Sequence, residues 1–403
     1  MKQQYNTIIK LINSLQPAQP LFVYRPHIHN KAVKCFLNNF NADCLYAVKT
    51  NPEAHIINSL YKLGIKHFDV ASLYEIQLVK NIAPNAKLYF MHPVKSRKAI
   101  AEAYFKHNIK HFSLDSHDEL NKILQETKNA TDLCLHLRLT IPNNHAVMKL
   151  THKFGIALKE AIVLLRCIKK VSHKVGVCFH VGSQCMHPDS YKIALNITAK
   201  VTKEANVKIN FINVGGGFPS IYPHLKPPKI TDYFNTINSE FIKIKASLQQ
   251  YNLKLLAEPG RALVAETTSM IVKVELRKNN TLYINDGIYG SLFDAGLLKF
   301  IFPVKKIMWK SEIPTKNYLL AYSFYGPTCD SLDYMPGPFL LPSNITEGDY
   351  IEIGQIGAYG RALATKFNGF HHNEKLYEVT DQPIMSMYNN YQDKLQELKC
   401  QTL

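Results

Sequence analysis

The stretch 66-KHFDVASLYEIQLVKNIAPNAKLYFM-91 contains the unit from which most of this chain is built. A short apolar run, KHFDV, is followed by a segment with helical spacing of its apolar residues and then by a second apolar run, KLYFM. Short apolar strands that alternate with helices are typical of a parallel sheet, because a parallel connection needs a crossover segment. The stretch therefore predicts a strand, a helix and a second strand parallel to the first.

The same unit recurs from about residue 43 to about residue 258. The eight apolar runs that mark its strands are 44-CLYAV, 66-KHFDV, 87-KLYFM, 110-KHFSL, 132-DLCLHLRL, 175-VGVCFHV, 211-FINV and 254-KLLAE. Eight repeats of this kind match a (β/α)8, TIM-like barrel. An open, doubly wound sheet is the alternative that the strand pattern leaves open.

The pattern changes after about residue 266. Segments such as 270-MIVKVELRKN and 350-YIEIGQIGAYG are rich in strand-forming residues, and helical segments become few. This change predicts a second, mostly antiparallel β domain. We place the barrel at residues 27–265 and the β domain at residues 266–403, with residues 1–26 contributing through a strand at 20-PLFVYRP.

Composition narrows the class of protein. The chain has 403 residues, of which 46% are hydrophobic and 20% charged, and these are globular proportions. We expect no membrane span, because no apolar run approaches the roughly 18 residues that one requires. The formal charge of +17 keeps nucleic acid open as a partner. However, the lysines are spread along the chain without a basic arm, so we expect no specific nucleic-acid binding.

The eight cysteines form no CxxC pair and no cluster with zinc-ligand spacing. We therefore expect no metal site and a reduced chain of cytoplasmic location. The first twenty residues contain no apolar core long enough for a secretory signal, and an ordinary leading helix is favoured over a transit peptide.

Unusual polar residues fall at the carboxyl ends of five predicted strands. They are Lys49, Asp69 with Glu75 on the next turn, His180, Gly215–Gly217, and Glu258–Arg261. Each alone has an ordinary explanation, such as a solvated lysine, a buried histidine or a tight turn. Because the chemistry of a (β/α)8 barrel takes place at the carboxyl ends of its strands, their common position on one rim favours a functional site.

The ends of the last two predicted strands indicate an anion site. A phosphate site in such barrels often lies in the loops after strands seven and eight. Three successive glycines let backbone N–H groups approach an anion, and Arg261 adds a charged donor. A lysine facing a bound phosphate suggests a Schiff base with a phosphate-bearing aldehyde, of which pyridoxal phosphate is the common one.

Six ordered motifs also carry a resemblance to a known family. They are YAVKTN (46–51), FHVGSQ (179–184), VGGGFP (214–219), AEPGR (257–261), YGPTCDSLD (325–333) and IGAYG (356–360). In order and spacing they resemble the fold-type III pyridoxal-phosphate decarboxylases, which act on ornithine, lysine, arginine or diaminopimelate. The resemblance covers roughly residues 21 to 370, and it is strongest to the ornithine and lysine/ornithine decarboxylases.

The resemblance implies roles around pyridoxal 5′-phosphate. Lys49 would hold the cofactor covalently, His180 would stack on its ring, and Glu258 would pair with the ring nitrogen. The implied catalytic residues are Lys49, His180 and Cys329. The other implied cofactor-binding residues are Asp69, Glu75, Ser183, Gly215, Gly216, Gly217, Pro259, Gly260, Arg261 and Tyr359.

The resemblance further implies how substrate is bound. Cys329 would handle the proton returned to the substrate carbon, and Asp330 would hold the distal ammonium group, with Tyr289 and Asp294 as further substrate-binding residues. Asp294 aligns with the family's second acid only through a deletion. In the family the Cys-Asp pair reaches the active site of the other subunit, which implies a homodimer with shared sites.

The implied function is decarboxylation of L-ornithine to putrescine or of L-lysine to cadaverine, in polyamine biosynthesis. Diaminopimelate, arginine and carboxynorspermidine are alternative substrates. A catalytically silent regulatory homologue is a further alternative, although the implied residues are all present. Alanine racemases share the barrel and the lysine, but they place an arginine where Glu258 stands here.

Overall fold

The computed structural model describes residues 4–150, 153–308, 318–370 and 375–388. The chain divides into two compact units. The barrel unit comprises Val33–Pro219 and Pro227–Arg261, and the β unit comprises Met1–Ala32, Ser220–Lys226 and Ala262–Leu403.

The barrel unit is a closed cylinder of eight parallel strands. In chain order, β1 to β8 are Asp43–Ala47, His67–Val70, Lys87–Phe90, His111–Leu114, Cys134–Arg138, Lys174–Cys178, Phe211–Asn213 and Lys254–Ala257. β8 pairs with β7 on one side and with β1 on the other, where Ala257 lies opposite Cys44, and this last pairing closes the cylinder. The (β/α)8 prediction is confirmed, and the open doubly wound sheet is excluded.

Helices follow the strands as the repeat predicts. The long helices that belong wholly or partly to the barrel unit are Pro26–Asn39, Ala54–Leu63, Leu73–Ile82, Arg97–Phe105, His117–Glu126, Leu158–Val171, Asp189–Ala205 and Ile230–Ser247. Three of them begin at a serine whose hydroxyl accepts a hydrogen bond from the third helical N–H group, at 3.2 Å in each case. Short βα loops capped in this way keep the carboxyl ends of the strands at a common rim.

The floor of the barrel is polar, which the apolar strand runs do not indicate. His111 Nδ1 lies 3.0 Å from His136 Nε2, and the ring of Tyr89 lies 4.2 Å from the ring of His111. Burial lowers the pKa of His111 to about 2 and that of His136 to about 3, so both rings are neutral. These rings fill the amino-terminal end of the cylinder, opposite the rim that carries the predicted site.

A mixed sheet forms the β unit. Its strands are Gln4–Tyr5, Leu21–Tyr24, Thr268–Lys278, Thr281–Ile284, Val304–Ile307, Leu319–Tyr325, Tyr334–Pro342, Tyr350–Ile353 and Leu376–Val379. Within the described chain, five of the eight pairings of this sheet are antiparallel. The expected mostly antiparallel character is therefore confirmed. The long strand Thr268–Lys278 is central, because it pairs antiparallel with three others.

Short elements complete the description. The remaining helices of the described chain are Ile8–Leu15, Arg261–Val264 and Phe293–Gly296. Its 3-10 turns are Val48–Thr50, Ala265–Thr267, Arg361–Leu363 and Phe367–Gly369, and a two-stranded antiparallel sheet consists of Ala146–Met148 and Ser183–Cys185. Ile8–Leu15 is the expected leading helix, capped by Thr7. Among the described helices, none combines the length and apolar character that a membrane span requires.

A buried arginine ties three segments of the β unit together. Arg25 is fully buried, and its Nη2 donates to Glu352 Oε1 at 2.8 Å. Its Nη1 donates to Ser269 Oγ at 2.7 Å, and its Nη2 lies 3.1 Å from Asp381 Oδ1. Because removing one partner of a buried ion pair leaves an uncompensated charge, this cluster makes the sheet depend on Arg25.

We expect Arg25→Met to lower the free energy of unfolding by about 3–5 kcal/mol, because Glu352 is left buried without its cation. Urea unfolding of the full chain measures the loss. The matched variant Arg25→Met/Glu352→Met removes the buried pair and leaves only Asp381, whose side chain is partly exposed, so it is expected to lose markedly less. Equal losses in the single and double variants would contradict the assigned role of the ion pair.

Candidate active site

Lys49 stands at the carboxyl end of β1, in the 3-10 turn Val48–Thr50. Its side chain is 49% exposed, and its Nζ lies 3.9 Å from Oδ2 of Asp69, which is buried near the end of β2. Because β1 and β2 are parallel neighbours, their carboxyl ends bring these two residues together. The result is an accessible amine held against a buried acid.

Two carboxyl groups on this side of the rim are hard to ionise. Burial raises the pKa of Asp69, although the charges of Lys49 and Arg138 oppose the rise. Burial also raises the pKa of Glu75 to about 7. Glu75 Oε2 accepts a hydrogen bond from the backbone N–H of Ala71 at 2.7 Å, which turns the carboxyl back toward the end of β2. Glu75 can therefore exchange a proton near neutral pH.

His180 lies two residues beyond the end of β6 and presents a neutral imidazole. Its Nδ1 accepts a hydrogen bond from the N–H of Gly182 at 3.0 Å, so the ring proton resides on Nε2. Burial, with Arg138 and Lys49 nearby, holds the pKa of His180 well below its usual range. The ring edge faces the glycine loop, because a Cβ on Gly216 would lie 3.0 Å from Nε2.

The loop after β7 can be built only from glycine. Gly215 and Gly217 have φ angles of +67° and +104°, which side-chain-bearing residues rarely adopt. A Cβ on Gly215 would lie 2.1 Å from the carbonyl oxygen of Phe179, and one on Gly217 would lie 2.6 Å from that of Gly182. Tyr191 fixes the loop from behind by donating to the Gly216 carbonyl at 3.0 Å. The loop is a backbone cradle of the size and polarity that suit an anion.

The segment Glu258–Arg261 follows β8 and completes this side of the rim. Glu258 is 4% exposed, and burial together with the charge of Asp69 raises its pKa to about 7. The backbone N–H of Ala47 donates to the Pro259 carbonyl at 3.2 Å. Gly260 packs closely on Thr50, since a Cβ there would lie 2.1 Å from Thr50 Oγ1. These contacts hold Glu258 and the buried Arg261 beside the turn that carries Lys49.

Ser183, also expected at the site, is half-buried at the start of the strand Ser183–Cys185. Two barrel residues were missed from the sequence. Arg138 is the last residue of β5, and its charge acts on Asp69, Glu258 and His180. The strand-end rule that identified the other residues would also have found Arg138. The second is Asn213, the last residue of β7, which the same rule would also have found.

The β unit brings Tyr289 to Asp330. The Tyr289 hydroxyl donates to Asp330 Oδ2, and the N–H of Leu332 donates to Oδ1 at 3.0 Å. The bond from Leu332 and the bond from Tyr289 hold the pKa of Asp330 below its usual range. Asp330 is therefore a half-buried carboxylate that is negatively charged at neutral pH.

Cys329 is exposed beside it. Both its backbone N–H and its Sγ donate to Oδ1 of Asn368, at 3.2 and 3.3 Å. Asn368 adopts a φ angle of +52° in the turn Phe367–Gly369. The thiol is therefore accessible but held in a defined direction.

Asp333 organises this loop and was not foreseen. It is 1% exposed, and its Oδ1 accepts from the N–H of Ile288 at 2.8 Å, while its Oδ2 accepts from the N–H and the hydroxyl of Thr328 at 3.1 and 2.8 Å. Gly287 and Gly326 pack against the same carboxylate, where a Cβ would lie within 2.0 and 2.3 Å of Oδ1. Its position as the last residue of 325-YGPTCDSLD was the only available signal.

Two further expected residues lie in the β unit. Asp294 is buried at 5% exposure in the short helix Phe293–Gly296, and Tyr359 is half-buried with a φ angle of +60°. Within the described ranges, no cluster of three or more side chains has the arrangement of a metal site. Thus one rim of the barrel holds an amine, a glycine cradle and several acids, and one loop of the β unit holds a thiol and a carboxylate.

Comparison with known proteins gives the family. The sequence profile described as "Pyridoxal-dependent decarboxylase, pyridoxal binding domain" matches residues 27–265. Ornithine decarboxylase of Mus musculus is 31% identical over 371 residues, which cover 86% of this chain and 77% of that protein. Lysine/ornithine decarboxylase of Selenomonas ruminantium is 28% identical over 341 residues, 82% of each chain.

A solved structure is also similar. The lysine/ornithine decarboxylase of Vibrio vulnificus, complexed with putrescine, superposes with a TM-score of 0.76 and 26% sequence identity. The superposition covers 93% of this chain and 98% of that one. The likeness thus extends through both units of the chain.

We expect Gly215→Ala to destabilise the protein more than Gly348→Ala. Both glycines have positive φ angles, so both variants incur about 1–2 kcal/mol of backbone strain. Only at Gly215 must backbone also move, because a Cβ on Gly348 would meet nothing within 4 Å. Urea unfolding of the two variants measures the difference, and equal losses would contradict the closely packed cradle.

Proposed function

The chain belongs to the pyridoxal-dependent decarboxylases, and on that premise we propose that it removes the α-carboxyl group of a basic amino acid. The substrate is L-ornithine, which gives putrescine, or L-lysine, which gives cadaverine, in polyamine biosynthesis. The observation that carries the proposal is the barrel rim, where Lys49 lies against Asp69 beside the glycine cradle and Glu258.

The rim residues fit pyridoxal 5′-phosphate. Any Cβ in the cradle of Gly215–Gly217 would collide with neighbouring backbone. The N–H groups of Gly216 and Gly217 would bind the phosphate, since that of Gly215 donates to Asn213 Oδ1. Lys49 would hold the aldehyde carbon, His180 would lie against the ring, and Glu258 would face the ring nitrogen. The residues that would bind or support the phosphate and ring are Ser183, Gly215, Gly216, Gly217, Pro259, Gly260, Arg261, Tyr359, Asp69 and Glu75. When bound, the protonated pyridine ring draws electrons from the α-carbon, which is what loss of CO2 requires.

The chain's own groups set the protons at this rim. Glu258, with its pKa raised to about 7, can share a proton with a basic nitrogen, whereas an ordinary carboxyl would be a weaker partner. His180 is neutral and therefore adds no positive charge beside the ring. Asp69 Oδ2 lies 3.9 Å from Lys49 Nζ, and at that distance the carboxyl group orients the amine. The rim thus combines one exchangeable amine with acids tuned to neutral pH.

Asp330 sets the substrate class. Its carboxylate, kept negative by the Leu332 N–H and the Tyr289 hydroxyl, suits the distal ammonium of a basic amino acid. A distal carboxylate, as in diaminopimelate, would be repelled by the same charge. Ornithine and lysine differ by one methylene, which a pocket distinguishes by only about 1–3 kcal/mol. Asp294 would serve as a second acid for the substrate, and Cys329 would return the proton to the α-carbon.

A homodimer would complete the active site. One face of the β sheet carries a row of three tyrosine rings, Tyr283, Tyr325 and Tyr334. The first two rings are stacked with centroids 5.3 Å apart, and the last two are tilted with centroids 4.8 Å apart. Leu332, in the loop of Cys329 and Asp330, is 69% exposed. Half-exposed aromatic rings beside an exposed leucine are typical of the core of an interface, and they support docking of a second copy here. In such a dimer Cys329 and Asp330 of each copy would serve the barrel of the other.

We propose a cytoplasmic location. The described cysteines are free, which supports a reducing, cytoplasmic location.

Incubation of the pure protein and pyridoxal 5′-phosphate with single amino acids tests the reaction. We expect CO2 with putrescine from ornithine or cadaverine from lysine, and no turnover and no cofactor-lysine absorbance in Lys49→Ala. The exposed Lys62→Ala is the matched control and should keep full activity. Turnover of arginine, diaminopimelate or carboxynorspermidine alone would overturn the proposed substrate, and CO2 from none of them would favour a silent homologue.

Mixing two inactive variants tests the shared site. Lys49→Ala and Asp330→Ala, combined and allowed to reassociate, should recover about a quarter of wild-type activity, because half of the dimers then hold one intact site. Sedimentation before and after mixing measures the dimer independently. No recovery between variants that demonstrably exchange subunits would show that each copy uses its own Asp330.

A further inference from the structure

Three hydrogen bonds form a closed ring between the ends of β7 and β8. The N–H of Gly215 donates to Asn213 Oδ1 at 2.9 Å, and Asn213 Nδ2 donates to Glu258 Oε1 at 2.7 Å. The N–H of Glu258 then donates to the Gly215 carbonyl at 2.8 Å. All three residues are buried, and Asn213 is fully so. Each group therefore depends on the other two for its partner.

The hydrogen bonds of this closed ring can run in only one direction. A backbone N–H can only donate, so the Asn213 atom that faces Gly215 is the oxygen. The amide nitrogen must then face Glu258, whose Oε1 can only accept. A proton carried by Glu258 therefore resides on Oε2.

We propose that Asn213 is a positioning residue that couples Glu258 to the glycine loop and reserves Oε2 of Glu258 for proton exchange. The inference rests on the proposed function and deepens it, because it assigns a residue that positions Glu258, the acid that would face the pyridine nitrogen of the cofactor. It adds that the phosphate cradle and this acid move as one unit. An amide can do both without charge or titration, since it accepts at one end and donates at the other.

Electrostatics favour an uncharged amide over a carboxylate at position 213. Burial raises the pKa of Glu258 to about 7, and the bond from Asn213 works against that rise. The other charged or titratable groups that act on Glu258 are Asp69, Lys49, Arg138 and Cys178. A carboxylate in place of Asn213 would add a like charge in contact with Glu258, and the pair would keep a proton to higher pH.

Asn213→Asp separates the two tasks of the residue. Aspartate has nearly the same shape and still accepts from Gly215, but it offers Glu258 an oxygen instead of an N–H group. The variant therefore changes the contact with Glu258 while it leaves the loop contact in place. Asn210→Asp is the matched control. Asn210 immediately precedes β7, and its Oδ1 accepts a hydrogen bond from the N–H of Val175 at 3.0 Å. An aspartate can accept the same bond.

The first readout uses the full chain without added cofactor. A buried acid whose pKa is higher in the folded protein than in the unfolded chain lowers the free energy of unfolding as the pH rises between these two pKa values. Above the pKa of the folded state, the loss no longer grows. In wild type this loss is expected to end near pH 7. In Asn213→Asp it should continue for about one further pH unit or more, so that the melting temperatures diverge above pH 7. The melting temperature of Asn210→Asp should change with pH in the same way as that of wild type.

The second readout is cofactor binding at pH 8, followed by absorbance. We expect Asn213→Asp to bind pyridoxal 5′-phosphate at least about tenfold more weakly, a difference of about 1.4 kcal/mol. Identical pH dependence in Asn213→Asp and Asn210→Asp would overturn the inference. If the pH dependence of Asn213→Asp shifts as expected but the wild-type protein does not bind the cofactor, the proposed function is overturned while the coupling of Asn213 to Glu258 is supported.

A reversed pair covers the case in which Asn213→Asp does not fold. Asn213→Asp/Glu258→Gln restores one donor and one acceptor with the bond running the other way, so we expect it to fold and to lack the pH shift. A double variant no more stable than Asn213→Asp would contradict the assigned hydrogen bond.

Discussion

Closure of the barrel is the constraint on which the rest of the site depends. β8 hydrogen-bonds to β7 and to β1 in one parallel register, so the chain segments that leave these three strands emerge side by side. The glycine loop, Glu258 and the turn of Lys49 are those segments. Close packing of Gly260 on Thr50 and of Gly215 on Phe179 leaves them little freedom to move apart. A cylinder that did not close between β8 and β1 would separate the amine from the cradle.

Burial gives this rim its chemical character. Asp69, Glu75 and Glu258 all have raised pKa values because they are withdrawn from water, and the charges of Lys49 and Arg138 oppose the effect at Asp69 and Glu258. Glu75 and Glu258, which would be fully ionised on a surface, thus become proton-exchanging groups near neutral pH. Asp330 is the opposite case, since its hydrogen bonds favour the charged form. A carboxyl group therefore serves as a proton carrier in the barrel, at Glu75 and Glu258, and as a fixed negative charge in the β unit, at Asp330.

Glycine and aspartate cooperate in the β unit. Asp333 accepts one hydrogen bond from the loop of Ile288 and two from Thr328 in its own loop, and Gly287 and Gly326 make room for its carboxylate. This buried acid holds the loop that presents Cys329 and Asp330. A loop that is exposed at its tip keeps its shape because its base is fully hydrogen-bonded.

The sequence by itself determined the class of fold and most of the candidate site. The alternation of apolar runs with helical spacing predicts eight parallel strands, and the strand-end rule then leads to Lys49, Asp69, His180 and Glu258 without any coordinates. Both inferences work because strand direction and side-chain type are local properties of the chain. The polar barrel floor of His111 and His136, the pairing of Tyr289 with Asp330, and the ring through Asn213 were decided only by the tertiary structure. Each joins residues that are distant in sequence or that lie in a strand of ordinary pattern. The hydrogen-bond partner and the degree of burial, which set the pKa values and the polarity of such groups, do not exist until the strands have assembled.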